Sequence, residues 1–151
     1  MKTAIDYFIQ DVFKKSKNQI GNIYLCDVVH RFMNTRTNEI FEEHLYKYGK
    51  TKNIIKRMQM YSKPYKLIKT WNVNHLSLRE YLIHNDWNIE EDRHENLKDS
   101  RDEHVNFNCE DIVNFYCNAE IILKKDRILI LEDGIEAVSY PSQCILELLH
   151  F

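Results

Sequence analysis

Apolar residues near the N-terminus recur with the period of an α-helix. Within residues 3–16 they are spaced three or four positions apart: Ile5, Phe8, Ile9, Val12 and Phe13. This spacing places them on one helical face. Thr3 can cap the helix, and Asp6 lies in the first turn, where a helix N-terminus favours negative charge. The pattern predicts an amphipathic helix whose apolar stripe faces a core.

A helical period also fits two segments that follow a break around Gly21, where "NIYL" is typical of a short strand. The segment "CDVVHRFM" (26–33) predicts a second helix with four apolar residues directed inward: Val28, Val29, Phe32 and Met33. After a "TRTN" turn, residues 38–48 predict a third helix, and Gly49 is a suitable C-terminal stop. The N-terminal half is therefore predicted to be helical.

Residues 51–61 predict a fourth helix, whose apolar stripe consists of Ile54, Ile55, Met58 and Tyr61. This order of elements is compatible with a helix-turn-helix core. The helix after the "TRTN" turn carries three glutamates, Glu39, Glu42 and Glu43, which do not suit a helix lying against a polyanion. The basic helix at 51–61 suits that role better, so the helix-turn-helix prediction is an analogy of element order.

The second half of the chain mixes strands and helices. Residues 65–73 have an extended pattern, and Ser77-x-x-Glu80 is a capping box that predicts a helix over 78–84. "CEDIVNFYCN" predicts another helix. "AEIILKK" and "RILILED" predict two strands joined at Lys125-Asp126.

The last predicted elements complete an antiparallel β-meander. Asp133-Gly134 is a hairpin signal that leads to a third strand, "IEAVS", and Pro141 precedes a final helix, "SQCILELLHF". The predicted fold class is α+β: a helical N-terminal half, helix-turn-helix-like in element order, with a C-terminal antiparallel β-meander and flanking helices. At 151 residues the chain is predicted to form a single domain, 1–151.

Charge divides the chain into two predicted lobes. Residues 1–75 carry 14 Lys or Arg and 6 Asp or Glu, a net charge of +8, and form a basic helical lobe. Residues 76–151 carry 7 and 17, a net charge of −10, and form an acidic α/β lobe. Such asymmetry indicates contact with nucleic acid or an acidic module that faces a partner. Alternatively, the two lobes attract each other within the fold.

The basic charge is concentrated at 47–71, where no carboxylate occurs and four Tyr or Trp residues are interspersed. Several cations on one surface supply most of the sequence-independent affinity for a phosphate backbone, and exposed aromatic rings can stack on bases. Alternatively, the rings fill the core and the cations solvate a helix. The predicted nucleic-acid-binding residues are Lys47, Lys50, Lys52, Lys56, Arg57, Lys63, Lys66 and Lys69. The resulting hypothesis is a non-enzymatic regulatory protein that contacts nucleic acid.

The acidic lobe supports a second hypothesis, a small phage, viral or immunity-type inhibitor that binds a basic protein partner. The predicted partner-binding residues are Glu90, Glu91, Asp92, Asp99, Asp102 and Glu103. Ordinary solubility explains the same charge. The run "IILKKDRILIL" is a further candidate for strand addition to a partner or second copy, with burial in the meander as the alternative.

Catalytic and metal-binding signals are weak. Glu91-x-x-His94 resembles half of a di-iron site without a second half, and the acids near His104 lack EF-hand spacing. Cys26 and His30 would share a helix face, although a buried thiol is the simpler explanation. With only 3 Gly, the chain has no Gly-rich phosphate loop. The sequence therefore predicts no catalytic residue, no metal and no cofactor; a third hypothesis is an enzyme with a hidden site.

The expected location is cytoplasmic, including the interior of an infected host cell. No apolar stretch is long enough to span a bilayer, and the N-terminus lacks the features of a signal peptide. The protein is therefore expected to have no membrane partner. In an intracellular protein the four cysteines are expected to be reduced and buried: Cys26, Cys109, Cys117 and Cys144.

Overall fold

The computed structural model describes residues 4–60, 65–86, 89, 104–105, 108–124, 127–131 and 135–138. Its helices are α1 (Ala4–Lys17), α2 (Ile54–Met60), α3 (Leu76–His84) and α4 (Glu110–Asn118). Its strands are β1 (Gly21–Met33), β2 (Ile40–Thr51), β3 (Lys66–Val73), β4 (His104–Val105), β5 (Ile121–Lys124), β6 (Arg127–Ile130) and β7 (Ile135–Val138). The chain is a mixed α+β protein, as predicted.

The N-terminal half contains a long β-hairpin where helices were predicted. β1 and β2 pair antiparallel from Asn22 opposite Thr51 to Met33 opposite Ile40. The helices predicted over 26–33 and 38–48 are therefore wrong. The helix-turn-helix arrangement is not confirmed. The strand β1 follows α1, and the strand β2 covers the segment that was predicted to be the helix after the turn.

Burial on both faces explains why β1 resembled a helix. Ile23 and Leu25 are buried on one face of the strand, and Tyr24 and Cys26 are buried on the other. A strand covered on both sides reads as a continuous apolar run and loses the period-two alternation that identifies a half-buried strand. The predicted "TRTN" turn is confirmed, since residues 35–37 form a turn within the 34–39 connection between the two strands.

The hairpin is the centre of a four-stranded antiparallel sheet in the order β3-β1-β2-β4. β3 pairs with β1 from Val73 opposite Gly21 to Lys66 opposite Asp27, and the register shifts between Leu25 and Cys26. β4 pairs with the other edge, on β2. The extended segment predicted at 65–73 is therefore confirmed.

One face of the sheet packs against α3 and α4 and is called the α3/α4 face. Its buried sheet residues share one hydrophobic cluster: Ile23, Leu25, Tyr48, Trp71 and Val73. Leu76 and Ile83 of α3 and Val113 of α4 complete the cluster. Cross-strand partners such as Leu25 and Tyr48 point to the same face, so the helices cover a continuous apolar layer.

The opposite face, called the α2 face, carries Tyr24, Cys26 and Val28, against which Ile54 and Met58 of α2 pack. A Cβ on Gly49 would lie 2.6 Å from Cζ of Tyr24, so glycine leaves room for that ring. The predicted helix at 51–61 is confirmed in a shorter form, although Ile55 of its predicted apolar stripe is 71% exposed.

β5, β6 and β7 form a separate antiparallel meander, as predicted. Its buried residues pack with α1 and α3 in a second cluster: Ile9, Val12, Leu78, Leu82, Ala119, Ile121, Ile128 and Ile130. α3 contributes residues to both clusters and so connects the sheet to the meander. The two predicted turns of the meander and the predicted helix after Pro141 lie outside the described residues.

The helices predicted at 3–16, 78–84 and 109–118 are confirmed as α1, α3 and α4. The capping box of α3 is wrong. The residue before the helix is His75, and Gln19 accepts hydrogen bonds from the Leu76 N–H at 3.1 Å and the Ser77 N–H at 3.2 Å. The Ser77 hydroxyl instead accepts a hydrogen bond from another element, so a distant glutamine replaces the local cap.

Candidate functional site

Three of the predicted nucleic-acid-binding cations are either buried or paired with a carboxylate of a helix. Lys47 on β2 is only 9% exposed. Lys50 Nζ lies 3.8 Å from Oε1 of Glu80 on α3, and Lys69 Nζ lies 3.9 Å from Oε1 of Glu110 on α4. These carboxylates come from outside the 47–71 window, which is why the sequence segment looked free of counter-charge.

Three other cations of the predicted set lie on or next to α2 and define the α2 basic surface: Lys52, Lys56 and Arg57. Lys52 and Lys56 are exposed and Arg57 is half-buried. In the described part of the chain, none of the three forms an ion pair with a carboxylate.

The structure places Lys66 on the opposite face of the sheet. Lys66 is the cross-strand partner of Asp27, and both alternate with residues that pack on the α2 face. Lys63 lies outside the described residues. Of the seven predicted cations that the structure describes, three thus share the α2 basic surface.

The aromatic residues of the same window belong mainly to the core. Tyr48 and Trp71 are 0% and 7% exposed, and the Trp71 Nε1–H donates to Oδ1 of Asn114 at 2.9 Å. Tyr65 packs against the Tyr24 cluster of the α2 face. Tyr61 is outside the described residues. Buried rings cannot stack on bases, so the core alternative applies to Tyr48 and Trp71.

The predicted partner-binding acids at 90–103 lie outside the described residues, as do Glu91 and His94 of the candidate di-iron half-site. The side chain of His104 is likewise not described. Among the residues that the structure does describe, no group of three or more His, Cys, Asp or Glu is placed to hold a metal ion.

The candidate Cys26–His30 pair is wrong in its geometry, because both residues lie on a strand. Residues four apart on a strand are about 13 Å apart, beyond the reach of a proton transfer. Burial raises the pKa of the Cys26 thiol to about 11, with Lys47 acting in the opposite direction. Cys26 packs against the sulfur of Met58 at 3.9 Å and is an inert core thiol.

The predicted burial of reduced cysteines is confirmed for Cys26, Cys109 and Cys117, which are buried and form no disulfide within the described residues. Burial raises the pKa of the Cys117 thiol to about 12, against the opposite influence of Arg79 and Lys69. A thiol held in its protonated form is a poor nucleophile. Cys144 lies outside the described residues.

A polar site that sequence reasoning missed lies where α1, α3 and β5 meet. It is a cavity of about 410 Å³, here called the His75 cavity, lined by Phe13, Lys17, Asn74, His75, Arg79, Glu120, Ile121, Ile122 and Leu123. Two of its polar side chains are almost fully buried, His75 at 3% and Arg79 at 6% exposure. Such residues are rarely buried without a specific set of partners.

Arg79 binds backbone and amide oxygens, and no carboxylate is among the described residues that it contacts. Its Nε–H donates to the carbonyl of Asn74 at 2.8 Å, and Nη1 donates to the carbonyls of Tyr116 at 2.6 Å and Ala119 at 2.8 Å. Nη2 donates to Oδ1 of Asn74 at 2.9 Å. Two of these acceptors lie at the C-terminal end of α4, where the helix dipole favours a cation. Arg79 therefore joins α3 to the end of α4.

His75 is held in an unusual conformation by the same region. Its φ of 50° and ψ of 42° are left-handed, which costs most non-glycine residues about 1–2 kcal/mol. Its Nδ1 lies 2.6 Å from Oγ of Ser16, and its ring lies 4.9 Å from the ring of Phe13. Contacts with α1 thus fix the imidazole at the wall of the cavity.

The Ser16–His75 contact is structural rather than nucleophilic. Ser16 is 2% exposed, is not among the residues that line the cavity, and its Oγ also donates to the Phe13 carbonyl at 3.1 Å. A nucleophilic serine needs access to substrate and a base that is oriented by a third group. The described residues supply neither, so this pair anchors α1 to the start of α3.

The environment of His75 disfavours its charged form. Burial lowers the pKa of the imidazole to about 4, and the nearby cations Arg79 and Lys17 act in the same direction. Among the lining residues that the structure describes, Glu120 is the one carboxylate. His75 is therefore neutral at physiological pH, and its ring nitrogens comprise one donor and one acceptor.

Replacing His75 with asparagine is expected to flatten the acid side of the stability profile. Asparagine tolerates the left-handed conformation, can reach Ser16 and does not titrate. In the wild type the unfolded chain takes up a proton near pH 6.5 while the folded chain does not until about pH 4. The stability that neutral His75 contributes is therefore fully present above about pH 6.5. As the pH falls toward 4, the free energy of unfolding decreases by roughly 2–3 kcal/mol.

Urea unfolding of the wild type and His75→Asn at a series of pH values between 7.5 and 4 tests this expectation. The wild type should lose more stability than the variant over the interval. Parallel pH profiles for the two proteins would show that His75 is not held neutral in the folded state.

Comparisons with protein-family models, with curated proteins and with solved structures each found no match to this chain. In the described residues, no helix is both long and apolar enough to cross a bilayer.

Proposed function

We propose that this protein is a non-enzymatic regulator that binds nucleic acid through the α2 basic surface. The observation that carries the proposal is the grouping of Lys52, Lys56 and Arg57 around one short helix without an ion-pair partner among the described carboxylates. Lys66 does not belong to this surface, because it alternates with Tyr65, which packs on the α2 face, and so points to the opposite face of the sheet.

The proposed binding is local and electrostatic. The whole chain carries a net charge of −2, so its average field does not attract a polyanion. Cations that lack internal counter-charges can replace the ions condensed on a phosphate backbone, and the release of those ions drives association. Because Trp71 and Tyr48 are buried, stacking by these rings makes no contribution, and we propose contacts to the backbone rather than to base edges.

Charge reversal by Lys52→Glu with Lys56→Glu is expected to weaken binding to a short DNA duplex by about tenfold or more at low salt. Three phosphate contacts predict a slope of about −2 to −3 for log K against log salt in the wild type. The double variant should reduce the steepness of this slope by about two. Fluorescence anisotropy at several salt concentrations measures both quantities.

A matched control reverses two exposed lysines far from α2, Lys14 on α1 and Lys124 on β5. This control has the same net charge as the α2 double variant, and it should bind nearly as well as the wild type. Equal weakening by both double variants would indicate a general charge effect and contradict the proposed surface. Absence of wild-type binding to duplex and single-stranded DNA and RNA at low salt would overturn the function itself.

A further inference from the structure

We propose that the His75 cavity binds a small organic anion, whose charged group contacts His75 and Arg79 and whose apolar part contacts Phe13, Ile121 and Leu123. This inference is independent of nucleic-acid binding. The cavity is formed by α1, α3 and β5, whereas the α2 basic surface lies on the other side of the sheet. A cavity of about 410 Å³ suits a small molecule rather than a polymer.

Two buried polar groups in the cavity wall have hydrogen-bonding capacity left over. Of the five guanidinium N–H donors of Arg79, four are used by Asn74, Tyr116 and Ala119, and one has no acceptor among the described residues. His75 uses Nδ1 toward Ser16, and its Nε2 likewise has no partner in the described part of the chain. Buried polar atoms without partners are uncommon in folded proteins and point to a ligand.

The charges of the lining select an anion. Arg79 and Lys17 are cationic, Glu120 is anionic and His75 is neutral at pH 7, which leaves a net positive wall. Lys17 and Glu120 are both exposed and so stand at the opening, whereas Arg79 is buried deeper. An anionic group would therefore be drawn past the opening toward Arg79.

The apolar residues of the lining favour a ligand that has an apolar organic part. Phe13, Ile122 and Leu123 are half-buried and Ile121 is buried, so apolar surface surrounds the polar groups. A few convergent polar atoms on an apolar wall are typical of sites for small organic molecules. Inorganic phosphate alone would leave this surface uncovered and is expected to bind more weakly.

Proton uptake is expected to accompany binding. In the protonated imidazole, Nδ1–H can donate to Ser16 Oγ, and the Ser16 hydroxyl can donate to the Phe13 carbonyl. Nε2–H then remains as a donor for the anion, and every hydrogen has an acceptor. The charged groups that face His75 are Lys17 from α1, Arg79 from α3 and Glu120 beside β5. An added anion offsets the two cations, so affinity should rise as pH falls.

The test uses aromatic probes that differ in charge: benzoate and phenyl phosphate, the neutral benzyl alcohol and the cationic benzylamine, with inorganic phosphate as the head group alone. They are titrated into the ¹⁵N-labelled 151-residue chain. Benzoate or phenyl phosphate should shift the amide signals of residues 75, 79 and 121–123 and bind about tenfold tighter than benzyl alcohol. Their affinity should increase by about threefold or more from pH 7.5 to 5.5, and His75→Asn should abolish that increase.

Matched surface variants locate the anion. Lys17→Glu changes a residue of the lining and should weaken benzoate binding by about tenfold, whereas Lys14→Glu, one turn away on α1, should leave it unchanged. Equal affinity for benzylamine and benzoate would overturn the proposal, as would no shift at residues 75–79 with any probe at about 10 mM. Signal changes confined to α2 would assign the anion to the basic surface and likewise overturn it.

Discussion

Replacing Arg79 with methionine is expected to lower the free energy of unfolding by roughly 3–5 kcal/mol. The guanidinium is 6% exposed and donates four hydrogen bonds, to oxygens of Asn74, Tyr116 and Ala119. Methionine has a similar length and no donor, so these acceptors would lose their partner within the fold. Each unpaired buried carbonyl costs about 1–3 kcal/mol, which is large against the total stability of an ordinary domain.

Urea unfolding followed by circular dichroism measures this loss. Arg79→Lys should be intermediate, because an ammonium keeps the charge but cannot reach all four acceptors. Arg31→Met is the matched control. The Arg31 side chain is 76% exposed, and its ion pair among the described residues is with Glu42 on the hairpin surface, so its loss should cost less than about 1 kcal/mol. A cost of less than about 1 kcal/mol for Arg79→Met would show that Arg79 does not join α3 to α4.

Replacing Trp71 alone with alanine is expected to lower the free energy of unfolding by roughly 3–5 kcal/mol, as for other buried large-to-small changes. The ring is 7% exposed within the α3/α4 face, and its Nε1–H binds Asn114 of α4. Its removal leaves a cavity beneath α4 and breaks the hydrogen bond that positions that helix.

Trp71→Phe separates the two contributions. Phenylalanine retains most of the buried area, and Oδ1 of Asn114 keeps its bond from Asn118, so a cost of about 1–2 kcal/mol is expected. Trp71→Phe should also leave DNA binding unchanged, because a buried ring cannot stack on a base. Loss of binding with no loss of stability would mean instead that Trp71 is a contact residue and not part of the core.

Local signals were sufficient for most of the second half of the chain. The meander was predicted because short β-rich runs are separated by residues that favour tight turns, and each strand pairs with its neighbour in sequence. α1 was predicted because its apolar stripe faces one cluster and its other side faces solvent. In such elements the residue pattern and the burial share one period.

The β1–β2 hairpin was not predicted, because the pattern of its residues and their burial do not share one period. Residues 23–26 are buried on both faces, so no alternation marks the strand, and the spacing of Val28, Val29 and Phe32 fits a helix as well. Whether this segment forms a strand or a helix depends on other parts of the chain: β3 pairs with the edge of the hairpin, and α2 and α3 cover its two faces. Tertiary contacts override local helix preference in this case.

The candidate sites divide in the same way. The sequence showed that cations are concentrated at 47–69, but which of them face solvent depends on carboxylates of α3 and α4 that are distant in sequence. His75 and Arg79 carried no signal, because in the sequence they resemble polar positions on the outer side of a short helix. Their burial follows from the packing of α1 and α4 around α3.

By itself, the sequence determined the α+β class, the C-terminal meander, α1 and the concentration of basic residues before α3. Those features depend on propensity, spacing and composition, which are properties of neighbouring residues. Only the tertiary structure decided that the long central segment is a hairpin, that Trp71 belongs to the core and that His75 and Arg79 line a cavity. Each of these depends on which distant surfaces meet, because burial and pairing are set by contacts between segments far apart in the chain.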